Sequence, residues 1–141
     1  MKISTPSIYK KVLQLEEKGL IRSTLVREGK MPEKAVYSLT EAGQRQWERL
    51  MLEISNKPVH FFLDFNAVIV NLESLSPENQ AACLANIEEN IKTLKAYLEE
   101  NIRAKEHEPG IPETGMAVLR QQLILAQSVE TWIASFEKDR G

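Results

Sequence analysis

Residues 5–19 read TPSIYKKVLQLEEKG, and this stretch predicts a helix with a clear signal at each end. Thr5 can cap the free N–H groups of the helix start, and Pro6 suits the first helical position because it has no N–H to leave unpaired. Gly19 can adopt the left-handed conformation that ends a helix. Apolar residues recur at spacings of four and three and therefore share one face: Ile8, Val12 and Leu15.

The residues that follow predict a β-hairpin and a second helix. Residues 20–27 and 35–39 have the composition of strands, and the polar residues 28–33 between them contain the Gly and Pro of a turn. Thr40 can cap a helix that should end near Pro58. Helix, tight turn, hairpin and helix in this order predict the recognition helix and wing of a partial winged helix, a DNA-binding fold.

From Pro58 onward the pattern predicts only helices, so the fold class is mainly α with one small hairpin. Residues 59–72 are interpreted as a buried core helix, and a second helix should begin at Ser76. That second helix carries a heptad-type seam: Leu84, Ile87, Ile91, Leu94 and Leu98. A last helix is predicted over 114–138, with apolar residues on more than half of its circumference. Because a small monomer can rarely bury so broad a face, we expect a partner subunit and interpret 57–141 as a helical dimerisation or effector region.

Composition divides the chain in the same place. Residues 1–50 carry ten Lys or Arg against six Asp or Glu, whereas 51–141 carry eight against fourteen. A basic part joined to an acidic part suggests that only the first approaches a polyanion, so 1–56 is interpreted as the DNA-binding domain. Cys83 is the only cysteine, and the start has no apolar run typical of a signal peptide. A cytoplasmic protein without a membrane segment is therefore expected.

The candidate DNA contacts lie on the first helix and at the hairpin tip. Polar residues occupy the side of the helix opposite its apolar face, and its first half should enter the major groove most deeply. These considerations select Thr5, Ser7, Lys10, Lys11 and Gln14. Tyr9 either reaches a phosphate with its hydroxyl or packs at the core edge. The tip adds Arg27, Lys30 and Lys34 for backbone or minor-groove contact, although Glu28 and Glu33 dilute their charge.

Two motifs within these elements resemble the PadR family of transcriptional regulators. Residues 6–21, PSIYKKVLQLEEKGLI, are similar to its recognition-helix pattern, in which a small residue precedes Ile-Tyr and Leu-Glu-x-x-Gly-Leu-Ile follows. Residues 36–43, VYSLTEAG, resemble its Tyr-x-Leu-Thr-x-x-Gly segment after the wing. The resemblance covers only residues 6–43. The resemblance implies a homodimeric cytoplasmic repressor or activator of a palindromic double-stranded operator. Some members of the family respond to small phenolic or hydrophobic effectors.

The resemblance also contains a departure. In the family two helices precede the recognition helix, whereas only five residues precede Pro6 here. We therefore interpret the chain as N-terminally truncated and expect weakened operator binding. The alternative is a truncated helical interaction protein that does not bind DNA and dimerises with full-length regulators.

Nothing in the sequence favours an enzyme, a cofactor or a metal site. There is no Gly-rich phosphate loop, nucleophile elbow or His-x-x-x-His pair. His60 and Asp64 would lie one turn apart on a helix, and we interpret them as the solvent-facing edge of that helix. Trp47 and Trp132 are interpreted as packing residues, with a ligand cavity at a dimer seam as the alternative.

Overall fold

The computed structural model describes residues 5–141, apart from the side chain of Thr5. It divides into two compact units, Met1–Phe61 and Phe62–Gly141, which we name the head and the tail. The predicted cap at Thr5 therefore depends on a side chain outside the described residues. In the described part of the chain, no helix is long and apolar enough to span a membrane.

The head consists of two helices around an antiparallel hairpin, as the sequence predicted. Its elements are α1 Thr5–Glu17, β1 Ile21–Val26, β2 Lys34–Leu39 and α2 Glu41–Ser55. Ile21 lies opposite Leu39, and Val26 lies opposite Lys34 at the tip. The hairpin therefore returns the chain from its tip to the end of α1.

Gly19 ends α1 in the expected way. Its φ of +71° lies in the left-handed region, which costs glycine little because it has no Cβ. Gly19 N–H donates to the Glu16 carbonyl at 3.0 Å, and Leu20 N–H donates to the Leu15 carbonyl at 3.0 Å. This pair of bonds is the Schellman motif, and it satisfies carbonyls at the end of the helix.

Thr40 joins the start of α2 to the end of α1. Its Oγ1 accepts from Gly43 N–H at 3.1 Å, which caps α2, and donates to the Gly19 carbonyl at 2.6 Å. Its N–H donates to the Leu20 carbonyl at 3.1 Å. One threonine therefore closes the hairpin at its base and caps a helix at the same time.

Gly43 allows this junction to be tight. It is buried, and a Cβ placed on it would collide with the carbonyl of Leu20 and press on a methyl of Leu39. Because the first of these is backbone, rotation of a side chain cannot relieve the clash. The Leu-Thr-x-x-Gly motif thus has a physical reason: Thr supplies the cap and Gly supplies the space.

The tail is a long helical hairpin preceded by short turns. It contains α3 Asn66–Val70, a 3₁₀ helix Leu72–Ser74, α4 Pro77–Glu106 and α5 Glu113–Arg140. Ser76 caps α4 as predicted, because its Oγ accepts from Asn79 N–H at 3.3 Å. The loop between the long helices turns at Gly110, whose φ is +91°.

The core of the tail lies between α4 and α5. Leu72 and Ile133 are 1% exposed and are its most deeply buried large side chains. They form one cluster with the first part of the α4 seam: Leu84, Ile87 and Ile91. Further along the two helices, the buried apolar residues are Leu98, Ile102, Met116 and Ala126.

The predicted helix over residues 59–72 is wrong. Residues 58–63 are neither helix nor strand, and helical structure is confined to Asn66–Val70 and the short 3₁₀ turn. Pro58 disfavours helix at Lys57, and Phe62, at 84% exposure, gains no packing that would stabilise a helix. His60 and Asp64 are both exposed but share no helix, so their spacing of four residues has no structural meaning.

The predicted seam of α4 is correct at four of its five positions and wrong at Leu94. Leu94 is 50% exposed, although the residues around it in the heptad pattern are buried. Lys95 faces α5 in its place, and its Nζ donates a hydrogen bond to Glu130 Oε1 on α5 at 2.9 Å.

Gly43→Ala should lower the free energy of unfolding of the head by about 2 kcal/mol or more, because overpacking against backbone costs more than the added helix propensity returns. Gly115→Ala is the matched control, since a Cβ there meets nothing within 4 Å. It should be neutral or stabilise α5 by up to about 1 kcal/mol. Urea unfolding followed by circular dichroism measures both, and equal effects would contradict the role given to Gly43.

Candidate nucleic-acid interface

A polar face of α1 gathers most of the predicted contacts. At 3.6 residues per turn, four of the nominated residues share one side of the helix: Ser7, Lys10, Lys11 and Gln14. All four are exposed. Among the described residues neither Lys10 nor Lys11 forms an ion pair, so both ammonium groups can meet an external anion. The side chain of Thr5, the fifth predicted contact on this helix, lies outside the described residues.

Tyr9 does not share this face. Helical geometry turns it well away from Ser7 and Lys11, and it is 64% exposed. Within the described chain the ring is therefore not the edge of a packed core. A contact between its hydroxyl and a phosphate would need the backbone of the nucleic acid to pass along the flank of α1.

The hairpin tip carries the second group of predicted contacts. Gly29, with a φ of +58°, and a hydrogen bond from Met31 N–H to the Glu28 carbonyl make the turn. Arg27, Lys30 and Lys34 are all exposed there. Lys34 Nζ lies 3.7 Å from Glu28 Oε1. As the sequence indicated, the acidic residue offsets part of the positive charge, and an exposed pair of this kind is weak enough to open for a phosphate.

The hairpin and α1 are connected near their common end. Ser23 Oγ on β1 donates to Glu16 Oε1 on α1 at 2.9 Å. Together with the Thr40 junction, this bond holds the hairpin against the C-terminal end of the helix. The polar face of α1 and the basic tip thus belong to one compact unit.

The apolar face of α1 remains largely uncovered in the described chain. Ile8 and Leu15 are exposed and Val12 is half-buried. The two sides of the helix are therefore chemically distinct, with charged and amide groups on one and aliphatic groups on the other.

The tail holds a groove of about 410 Å³ beside the aromatic side chains of α5. Its lining is apolar apart from the Asn66 amide and the Ser128 hydroxyl: Leu63, Asn66, Leu125, Ser128, Val129 and Trp132. Trp132 is already stacked with two rings, Phe65 at 6.0 Å and Phe136 at 5.5 Å between centroids. Trp47 belongs to the head and is not part of this groove.

The polar groups of the groove, Asn66 and Ser128, were not predicted from the sequence. The predicted helix over 59–72 places Asn66 in its interior, whereas residues 58–63 are neither helix nor strand, and Ser128 lies in a strongly apolar stretch of α5. No spacing rule joins them, because they approach only through the packing of α3 on α5. Among the described residues, no group of three or more His, Cys, Asp or Glu side chains could hold a metal ion.

The sequence of the head is similar to that of a known protein family. Residues 1–49 match the model of the transcriptional regulator PadR-like family. The resemblance to the PadR family is confirmed. The match ends within α2 and so covers most of the head. Because the family consists of transcriptional regulators, the interpretation that the chain is not an enzyme is also confirmed.

Solved structures extend the likeness to the fold of the tail. Bacillus subtilis PadR in complex with operator DNA superposes with a TM-score of 0.75 at 18% identity, over 96% of this chain and 78% of that one. A PadR-like regulator of Bacillus cereus gives 0.61 at 18%, over 99% and 77%. The Vibrio cholerae virulence activator AphA gives 0.59 at 23%, over 96% and 76%. No curated protein matches the chain significantly.

The charged face of α1 can be tested with a simple polyanion. Lys10→Gln combined with Lys11→Gln should elute from immobilised heparin at lower salt, because two unpaired cations are removed from one face. Lys92→Gln combined with Lys138→Gln removes the same charge from the tail. It should leave the elution salt nearly unchanged, and an equal shift for both double variants would show that only net charge matters.

Proposed function

We propose that this protein is a DNA-binding transcriptional regulator that places α1 in the major groove of its operator. The observation that carries the proposal is the two-sided character of α1. Lys10 and Lys11, which form no ion pair among the described residues, lie beside Ser7 and Gln14 on one face. Amide and hydroxyl groups can read base edges, whereas lysines neutralise phosphates or donate to guanine. The family match over residues 1–49 supports this direction.

The wing completes the interface. Arg27, Lys30 and Lys34 contact the sugar-phosphate backbone or the adjacent minor groove, and Tyr9 meets a phosphate beside α1. Thr5, at the start of α1, contacts the same groove. In this arrangement the lysines and Arg27 supply affinity, while Ser7 and Gln14 supply specificity.

We further propose that the protein acts as a homodimer through its tail. Val118, Leu125 and Trp132 are spaced by seven residues on α5, share one side of that helix and remain exposed. Burying side chains of this size is worth roughly 1.5–3 kcal/mol each, so association of two tails is favourable. Two-fold symmetry then matches a palindromic operator in which two heads read equivalent half-sites.

A small aromatic or hydrophobic effector is a further proposed partner. Its site is the groove beside Trp132, which shares Leu125 and Trp132 with the proposed dimer surface and therefore lies at the dimer seam. There the Asn66 amide and the Ser128 hydroxyl can orient a polar substituent. Bacillus subtilis PadR has been solved in complex with p-coumaric acid, a ligand of this chemistry. Because two rings already stack on Trp132, an effector would contact its exposed edge. We place the regulator in the cytoplasm, as a repressor that an effector releases.

The DNA proposal is tested by binding the full chain to the duplex upstream of its own coding region across a salt series. A scrambled duplex of equal length serves as the reference. Ser7→Ala with Gln14→Ala should reduce affinity for the promoter while leaving the scrambled duplex unchanged. Lys10→Gln with Lys11→Gln should weaken both and reduce the magnitude of the slope of log K against log salt by about 1.8 for each bound head, or about 3.6 for a dimer on both half-sites.

Equal affinity of the wild type for the two duplexes would remove sequence-specific recognition. Absence of binding to both would favour the alternative, a helical interaction protein whose partner is a full-length regulator. In that case the same tail surface would form a heterodimer.

Self-association is tested by sedimentation equilibrium of Val118→Glu with Leu125→Glu. The two carboxylates should shift the wild-type dimer to monomer by at least about tenfold in dissociation constant, because a desolvated charge costs several kcal/mol. Gln127→Glu, on another side of α5, should leave the dimer intact. A monomeric wild-type chain would refute the homodimer directly.

A further inference from the structure

The interface between α4 and α5 contains one ion pair within an otherwise apolar seam. Lys95 Nζ donates to Glu130 Oε1 at 2.9 Å, and both side chains are 30% exposed. On α4 the pair lies between Ile91 and Leu98. On α5 it lies between Ala126 and Ile133, and all four of these neighbours are buried.

The sequence of α4 contains an apolar residue, Leu94, that could face α5 in place of Lys95. Leu94 and Lys95 are consecutive and therefore point about 100° apart, so only one can face α5 between Ile91 and Leu98. A heptad seam allows a spacing of three and then four residues, through Leu94, or of four and then three, through Lys95. Burial of apolar surface favours Leu94, yet Leu94 is 50% exposed and Lys95 takes the inner position.

Glu130 explains why the lysine is accepted. It follows Ala126 by four residues and precedes Ile133 by three, so it belongs to the stripe of α5 that packs on α4. If Leu94 faced it, its carboxylate would be partly buried against an aliphatic side chain without a partner. With Lys95 opposite, the carboxylate of Glu130 has a cationic partner, and the hydrogen bond between them raises the pKa of Lys95 above its usual value.

We propose that the Lys95–Glu130 ion pair selects which face of α4 packs on α5, and so holds Leu94 and Tyr97 on the outer surface of the helical hairpin. A polar residue in a helical seam can fix the register and orientation of packing even where an apolar residue would give equal or greater stability. The pair is thus a positioning device. This inference concerns the tail alone and does not depend on DNA binding or on dimerisation.

The test is the solvent accessibility of the leucine methyl groups in the full chain, measured by NMR with a soluble paramagnetic agent. Leu98, which is 4% exposed, gives the protected reference, and Leu52 of the head, which is 70% exposed and lies outside the proposed dimer surface, gives the accessible one. In the wild type the Leu94 methyls should broaden as those of Leu52 do. In Glu130→Leu, α4 should turn Leu94 inward and Lys95 outward, so the Leu94 methyls should become protected to the level of Leu98.

The exchange of charges is the matched control. Lys95→Glu combined with Glu130→Lys restores an ion pair of opposite sense and should restore the wild-type accessibility of Leu94. A pair that only adds stability would change the unfolding transition of Glu130→Leu while leaving Leu94 accessible, and that result would overturn the proposal. Protection of Leu94 in the wild type would overturn it as well.

If Glu130→Leu does not fold, Glu130→Gln replaces it. Glutamine keeps the size and an acceptor oxygen but removes the charge, so both orientations of α4 should be populated and Leu94 should fall between the two references. Wild-type accessibility in Glu130→Gln would then count against the selection of a face by charge.

Discussion

Thr40 occupies the point at which every element of the head meets. Its hydroxyl donates to the carbonyl of Gly19 and accepts from the N–H of Gly43, and its own N–H donates to the carbonyl of Leu20. These bonds join the end of α1, the base of the hairpin and the start of α2 within a few ångströms. The orientation of the hairpin relative to α1 follows from this junction, since no other described hydrogen bond except that between Ser23 and Glu16 ties α1 to the strands.

The junction matters because the head has little core to support it. In the described chain Gly43 is its only buried residue, and the aliphatic side of α1 is open. Backbone hydrogen bonds and caps, each worth about 1 kcal/mol, therefore carry much of the geometry that apolar packing would supply elsewhere. The tail differs in kind: Leu72 and Ile133 are buried almost completely, and its long helices are held by side-chain packing.

Features that depend on neighbouring residues were predicted from the sequence, whereas features that depend on distant residues were not. Helix ends were predictable because Gly19 ends α1, and Thr40 and Ser76 cap α2 and α4, through bonds to residues a few positions away. The bonds from Thr40 to Gly19 and Leu20 span about twenty residues and are not visible in the sequence. The failures, residues 59–65 and Leu94, depend on distant partners. The apolar run at 59–63 predicts burial, but Phe62 is exposed in the described chain. The heptad pattern predicts that Leu94 faces α5, because the pattern contains no information about Glu130 on the other helix. Helical periodicity alone places four of the candidate contacts on one face of α1: Ser7, Lys10, Lys11 and Gln14. Tyr9 is next to Lys10 in the sequence but is turned by about 100° from it around the helix.

Polar residues thus influence the geometry of both units, but the stability of the head depends on them more than the stability of the tail does. In the head, removing the cap at Thr40 would leave backbone groups unsatisfied and nothing apolar to replace them, so geometry and stability should fail together. In the tail, the apolar clusters on either side of Lys95 and Glu130 would remain packed if the pair were replaced, so orientation and stability can separate. The head is thus held together by hydrogen bonds at one junction, whereas in the tail the proposed pair of charges selects the outer surface of α4. The exposure of Leu94 and Tyr97 on α4 is then a consequence of Glu130, a residue on the other helix.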